Sequence, residues 1–147
     1  MTDIAMDGTA SAKAPWHLWV VGILSLLWNV GGAWTFIQAQ SGAPMDMDAT
    51  EIAYFAAQAP WFVAATDVAV VAPLLGAVAL LLRSRWAVLL YALSVAAIVV
   101  TNAYDVAAGT ALMLNDQGWL ILNCVTFCLA ILQWLYAWAM RRRGVLR

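Results

Sequence analysis

Four runs of apolar residues, each long enough to cross a bilayer as a helix, constrain this chain more than any other feature. A spanning helix needs about 20 mostly apolar residues. The runs extend from Trp16 to Ile37, Trp61 to Leu82, Trp86 to about Ala107, and Trp119 to Met140. Each opens with a tryptophan, an amphipathic ring that settles at the membrane–water boundary. The runs are too long for barrel strands of about 10 residues, and they lack strand alternation. Hydrophobic residues make up 65% of the 147 and charged residues 10%, against about 45–50% and about 25% in soluble domains. That composition excludes an ordinary soluble globule, a disordered chain and a nucleic-acid binder. The expected fold is an all-α integral membrane protein, a bundle of four transmembrane helices in one domain spanning residues 15–140.

The basic residues orient the bundle. Lys13 precedes the first span, Arg83 and Arg85 fill the link between the second and third, and Arg141, Arg142, Arg143 and Arg147 follow the fourth. The loops 38–60 and 108–118 hold no Lys or Arg but carry Asp46, Asp48, Glu51 and Asp116. The positive-inside rule therefore places both termini in the cytoplasm and makes the outer face acidic. The first run is longer than the 7–15 apolar residues of a signal peptide, so it is read as a retained span. Residues 1–14 are small and polar and read as a disordered tail. Residues 141–147 read as a basic tail that holds topology and meets anionic headgroups.

The loop between the first two spans is the only long one. Ser41-Gly42-Ala43-Pro44 reads as a turn. Asp48 followed by Glu51 has the spacing of a capping box, and Ile52, Phe55, Ala56 and Ala59 recur at helical intervals. A short helix over about 49–58, lying on the outer membrane surface, is expected. It serves either as a lid over a site or as a plain connector.

In lipid, helices meet through small residues and polar contacts. Each span has one such face: Gly22, Ser25, Asn29 and Gly32; Ala65, Ala69, Ala72, Gly76 and Ala79; Tyr91, Ser94, Ile98, Thr101 or Asn102, and Asp105; Asn123, Thr126, Ala130, Gln133 and Ala137. These faces are expected to turn inward. Pro73, near the middle of the second span, predicts a kink.

Depth arithmetic gathers a candidate site. At ~1.5 Å per residue, Asn29 lies ~12 Å inside the outer end of its span and Asp67 ~9 Å inside its own. Asn102 and Asp105 lie within about two turns of the outer end, and Asn123 about one turn deep. Asp67 and Asp105 are the only ionisable residues expected inside the spans' outer half, where no Lys or Arg can pair with them. Such groups are costly in lipid and often functional. They must be protonated, hydrated, hydrogen-bonded to Asn or Thr, or met by an external cation. With Trp61, Tyr104 and Trp119 at the mouth and Trp34 nearby, the set suits an organic cation or a hydroxylated solute such as a sugar. The alternative is structural: Asp105 wet at the boundary, and Asp67 held by Thr66 or Asn29.

No cofactor, metal or catalytic set is expected. One histidine, His17, excludes paired-histidine haem ligation and reads as an interfacial anchor. Cys124 and Cys128 share a helix face in lipid or packed protein and read as small buried hydrophobes. No nucleophile stands beside the two carboxylates, so the chain is not expected to be an enzyme.

The stretch Pro15-Trp16-His17-Leu18-Trp19-Val20-Val21-Gly22, followed by Leu27-Trp28-Asn29 and Gly31-Gly32-Ala33, together with Leu82-Arg83-Ser84-Arg85-Trp86-Ala87, resembles a group of small four-span proteobacterial inner-membrane proteins. These are often catalogued as "sugar transporter" or as uncharacterised. The resemblance runs from about Pro15 to Met140. It implies a bacterial inner-membrane location and a small solute carrier, and it carries over no site residues. The chain lacks the Pro-Gln signature of small sugar carriers, and Asn29 stands in the span where small multidrug exporters carry their glutamate. Two functions are thus expected from the sequence. One is a small transporter or ligand-binding protein, with homo-oligomers building its pathway. The other is an accessory or scaffold subunit of a larger membrane complex. The lipid bilayer is the partner common to both.

Overall fold

In the computed structural model the described residues are 13–41, 49–109 and 117–147. They form five helices: α1 (Trp16–Ser41), α2 (Ala49–Ala56), α3 (Pro60–Leu81), α4 (Trp86–Ala108) and α5 (Gln117–Arg142). All but α2 are long and apolar enough to cross a membrane. The expected spans stand, with α1 running four residues further and α5 extending two residues at each end. The short helix also forms, ending at Ala56 rather than at 58. The tail to residue 12, the 42–44 portion of the expected turn and the capping residue Asp48 lie outside the described residues.

The long helices pack α1 on α3, α3 on α4 and α4 on α5, each antiparallel to its neighbour. The small and polar faces turn inward as expected: Gly22, Ser25, Ala72, Gly76, Ala79, Tyr91, Ser94, Thr101, Asp105, Ala130, Gln133 and Ala137 are all buried. Gly32 departs from this pattern, being exposed, and a Cβ there would meet nothing within 4 Å. The reason is that α1 buries no residue beyond Ser25.

Pro73 sets the α3–α4 contact. Proline cannot donate to the carbonyl four residues back, here that of Ala69. An orphaned carbonyl is costly in lipid unless a neighbour satisfies it. The fully buried Ser94 hydroxyl of α4 donates to the Ala69 carbonyl at 3.1 Å. Seven residues further along α3, Gly76 lies under the Tyr91 ring, which a Cβ there would meet at 3.2 Å. These two contacts fix both the separation and the rotation of α3 against α4.

Packing is uneven along the bundle. Its hydrophobic core gathers Leu18, Ala77, Leu80, Ala87, Val88, Tyr91, Ala137 and Met140 at the end that bears the basic residues. Val145 and Leu146 belong to that core. The last residues are therefore a docked segment, a packing that the reading of a basic tail did not include. Gly144, at φ 68°, ends α5, and the Val145 amide returns to the Met140 carbonyl at 3.1 Å, the geometry of a glycine helix stop with an apolar residue following. The segment then pairs with the α3–α4 link. Arg147 donates to the Arg83 carbonyl at 2.8 Å, and Arg85 donates to the Arg147 carbonyl at 2.7 Å. Arg83 takes a left-handed φ of 58° there, and its Nε donates to the Val145 carbonyl at 3.2 Å. At the same end the His17 ring and the Tyr136 phenol share a 2.6 Å hydrogen bond between α1 and α5.

Ser94→Ala should lower stability by about 1–3 kcal/mol, because it orphans a buried carbonyl. Pro73→Ala restores an amide at that place, so the double variant should lose much less than Ser94→Ala alone. Unfolding titrations in detergent across this double-mutant cycle measure the coupling. Additive losses would show that Ser94 does not serve the proline.

Candidate functional site

The expected site residues divide into two groups. Asp105 is buried at the end of α4 away from the basic cluster, one turn before Gly109 closes the helix at φ 72°. The short helix α2 reaches it: the Tyr54 phenol donates to Asp105 Oδ1 at 3.0 Å. Burial, then the adjacent Asp105 carboxylate, pushes the Tyr54 phenol above its ordinary value of 10. Beside it, the Tyr104 ring stands edge-on to Trp61 at 5.0 Å and is tilted against Phe62 at 5.1 Å. Trp61 and Tyr104 thus meet as an aromatic pair, half exposed.

Asn29, half-buried on α1, is committed within the bundle. Its amide donates to the Ser25 carbonyl at 2.7 Å and to Gln133 Oε1 of α5 at 3.5 Å. With His17–Tyr136, this contact links α1 to α5 by side chains. Asn102 and Asn123 are half-buried on α4 and α5. Trp119 lies in α5, and its side chain is outside the described residues.

Asp67 stands apart. It is exposed on α3, in a strip with Ala64, Val68, Val71, Leu75 and Val78. Nine residues separate it from Gly76, about two and a half turns, so it lies opposite the Tyr91 contact. The structure therefore does not bring Asp67 to Asp105, nor to Thr66 or Asn29 as a structural contact. Thr66 gives its hydroxyl to the Phe62 carbonyl at 2.9 Å, and Asn29 is bound to Ser25 and Gln133. An acid facing hydrocarbon on a membrane-crossing helix is costly, and such residues almost always find a partner or face a wet cavity. That penalty makes an outward acid on a spanning helix a feature in need of a counterpart.

Cys124 and Cys128 are free thiols exposed on α5, on its lipid side in the expected arrangement rather than in packed protein. Among the described residues, no three His, Cys, Asp or Glu side chains come together as a metal site.

Sequence reasoning missed Tyr54 and Gln133 as the partners of Asp105 and Asn29. Gln133 was legible on the inward face of its span. Tyr54 carried a weaker signal, a polar-tipped ring within a short apolar helix. The outward setting of Asp67 was also legible, since the stripe Ala65, Ala69, Ala72, Gly76 and Ala79 leaves position 67 off its face.

Compared with known proteins, the chain matches no family model, no curated protein and no solved structure.

Tyr54→Phe should release α2 from α4, with amide exchange across Ala49–Ala56 rising by about tenfold, the equivalent of 1.4 kcal/mol. The folded phenol holds its proton more tightly than the unfolded one. Its contribution is therefore complete below pH 10 and is lost as the pH climbs beyond that. Unchanged exchange in the variant would mean that α2 is held by its apolar residues alone.

Proposed function

We propose that this chain is an accessory or scaffold subunit of a larger membrane complex. The observation that carries the proposal is Asp67, an acid on the outward face of a spanning helix. The inward polar groups support it, because several are spent on the bundle itself: Ser94 on Ala69, Asn29 on Gln133, and Asp105 on Tyr54. The uneven packing supports it too. Away from the basic end, α1 and α5 bury none of the described side chains over their last and first halves respectively, a surface suited to completion by other helices. In this reading both termini are cytoplasmic in a bacterial inner membrane, and α2 lies on the outer face.

A second reading rests on Asp105. A carboxylate buried beneath a short helix, with Tyr54 above it and Trp61 and Tyr104 alongside, forms a place for a small polar or cationic solute once α2 lifts. Asn102 and Asn123 would then orient the solute. This is the transport or ligand-binding function that accords with the resemblance to small four-span carriers.

The two readings separate in the mass of the full tagged chain, extracted gently from its own membrane. The subunit reading predicts a heteromeric complex of fixed ratio, reduced by about tenfold in Asp67→Leu and unaffected by Asp105→Asn. Recovery of the chain alone, or only with copies of itself, contradicts it.

A further inference from the structure

We propose that the α3 face centred on Asp67 docks a transmembrane helix of a partner protein that carries one cationic side chain, lysine or arginine, at the matching depth. The inference rests on the subunit reading and names the partner's chemistry.

Four observations lead there. First, Asp67 is exposed and lies on the face of α3 opposite Gly76 and the Tyr91 ring, so none of the described helices covers it. Second, no cation of this chain can reach it. All seven Lys and Arg residues cluster at the other end of the bundle. The one nearest along α3, Arg83, is sixteen residues away, ~24 Å of helix, and its Nε is engaged with the Val145 carbonyl. Third, the neighbouring hydroxyl that could have solvated the carboxylate, Thr66, is turned back to the Phe62 carbonyl. Fourth, the surrounding strip of Ala64, Val68, Val71 and Leu75 is uncharged and apolar. A second helix can pack on it by van der Waals contact, one of the forces that join helices in lipid.

Charge complementarity then selects the occupant. A second copy of this chain, related by a twofold axis along the membrane normal, brings the same patch to itself. It would set one Asp67 near another at equal depth, which is like against like. A lipid headgroup amine sits at the boundary, whereas Asp67 is ~9 Å inside it. A Lys or Arg on a spanning helix carries its own penalty in hydrocarbon, and pairing relieves both at once. Such a pair also fixes register and rejects partners without the cation.

The test uses the purified full chain in phosphatidylcholine vesicles and synthetic Leu-Ala spanning peptides of about 24 residues. One peptide carries a single Lys about 9 Å from its end; the control has Leu there. Energy transfer between labelled chain and peptide reports association. The lysine peptide is expected to associate about tenfold more tightly than the leucine peptide. That preference should disappear in Asp67→Leu, and helix content and unfolding midpoint should be unchanged because the position is exposed. Equal association of the two peptides with the natural chain overturns the proposal. So does a chain that pairs with its own copies through Asp67 and ignores the lysine peptide. If the peptides show no preference while gentle extraction still returns a fixed-ratio complex, the cationic partner is refuted and the subunit reading stands. If extraction returns the chain alone, the subunit reading fails whatever the peptides do.

Discussion

The structure depends on how α3 is turned, and one hydrogen bond together with one ring contact to α4 sets that turn. Pro73 leaves the Ala69 carbonyl without its helical donor, in a setting with no water to replace it. Ser94 supplies the missing proton from α4 at 3.1 Å. Because Ala69 and Gly76 lie two turns apart on one face, the serine contact and the Tyr91 ring over Gly76 act together. With that face committed to α4, the opposite face, and Asp67 with it, is left to the surroundings.

The basic end supplies the second constraint. There the core is tight, α5 is stopped by Gly144, and Val145 and Leu146 fold in beneath the α3–α4 link. Main-chain bonds between Arg147 and both Arg83 and Arg85 bring several positive side chains into one region. The left-handed backbone at Arg83 costs about 1 kcal/mol for a residue with a side chain, and the bonds to Val145 and Arg147 offset it. Such a plug holds four helices together at one end. The other end is then free to stay loosely packed, with α2 held to α4 through Tyr54 and Asp105.

Much of this was legible in the sequence because lipid simplifies the rules. Span length follows from bilayer thickness, so Trp16 and Trp86 marked real helix starts, and the run read to about Ala107 ends one residue later at Ala108. The inward faces were readable because small and polar residues recur every three or four positions. What escaped needed three-dimensional register. The docking of Val145 and Leu146 was hidden by the arginines around them, which read as a basic tail meeting anionic headgroups. Tyr54 reaches Asp105 from fifty-one residues away, and no local spacing reports such a contact. Asp67 is the instructive case. Depth alone grouped it with Asp105, whereas depth and helical face together place the two acids on different surfaces.

The rotation of α3 is therefore the claim to test first. A nitroxide placed at position 67 in the full chain, with Cys124 and Cys128 replaced by alanine, reports its surroundings directly when the purified protein is in lipid vesicles. Labels at Val71 and Ala69 mark the outward and α4-facing sides of the same helix. The account predicts that position 67 is as mobile and as accessible to lipid-dissolved oxygen as position 71, with position 69 restricted. A label at 67 that is immobilised and shielded like the one at 69 would place Asp67 inside the bundle and contradict the account.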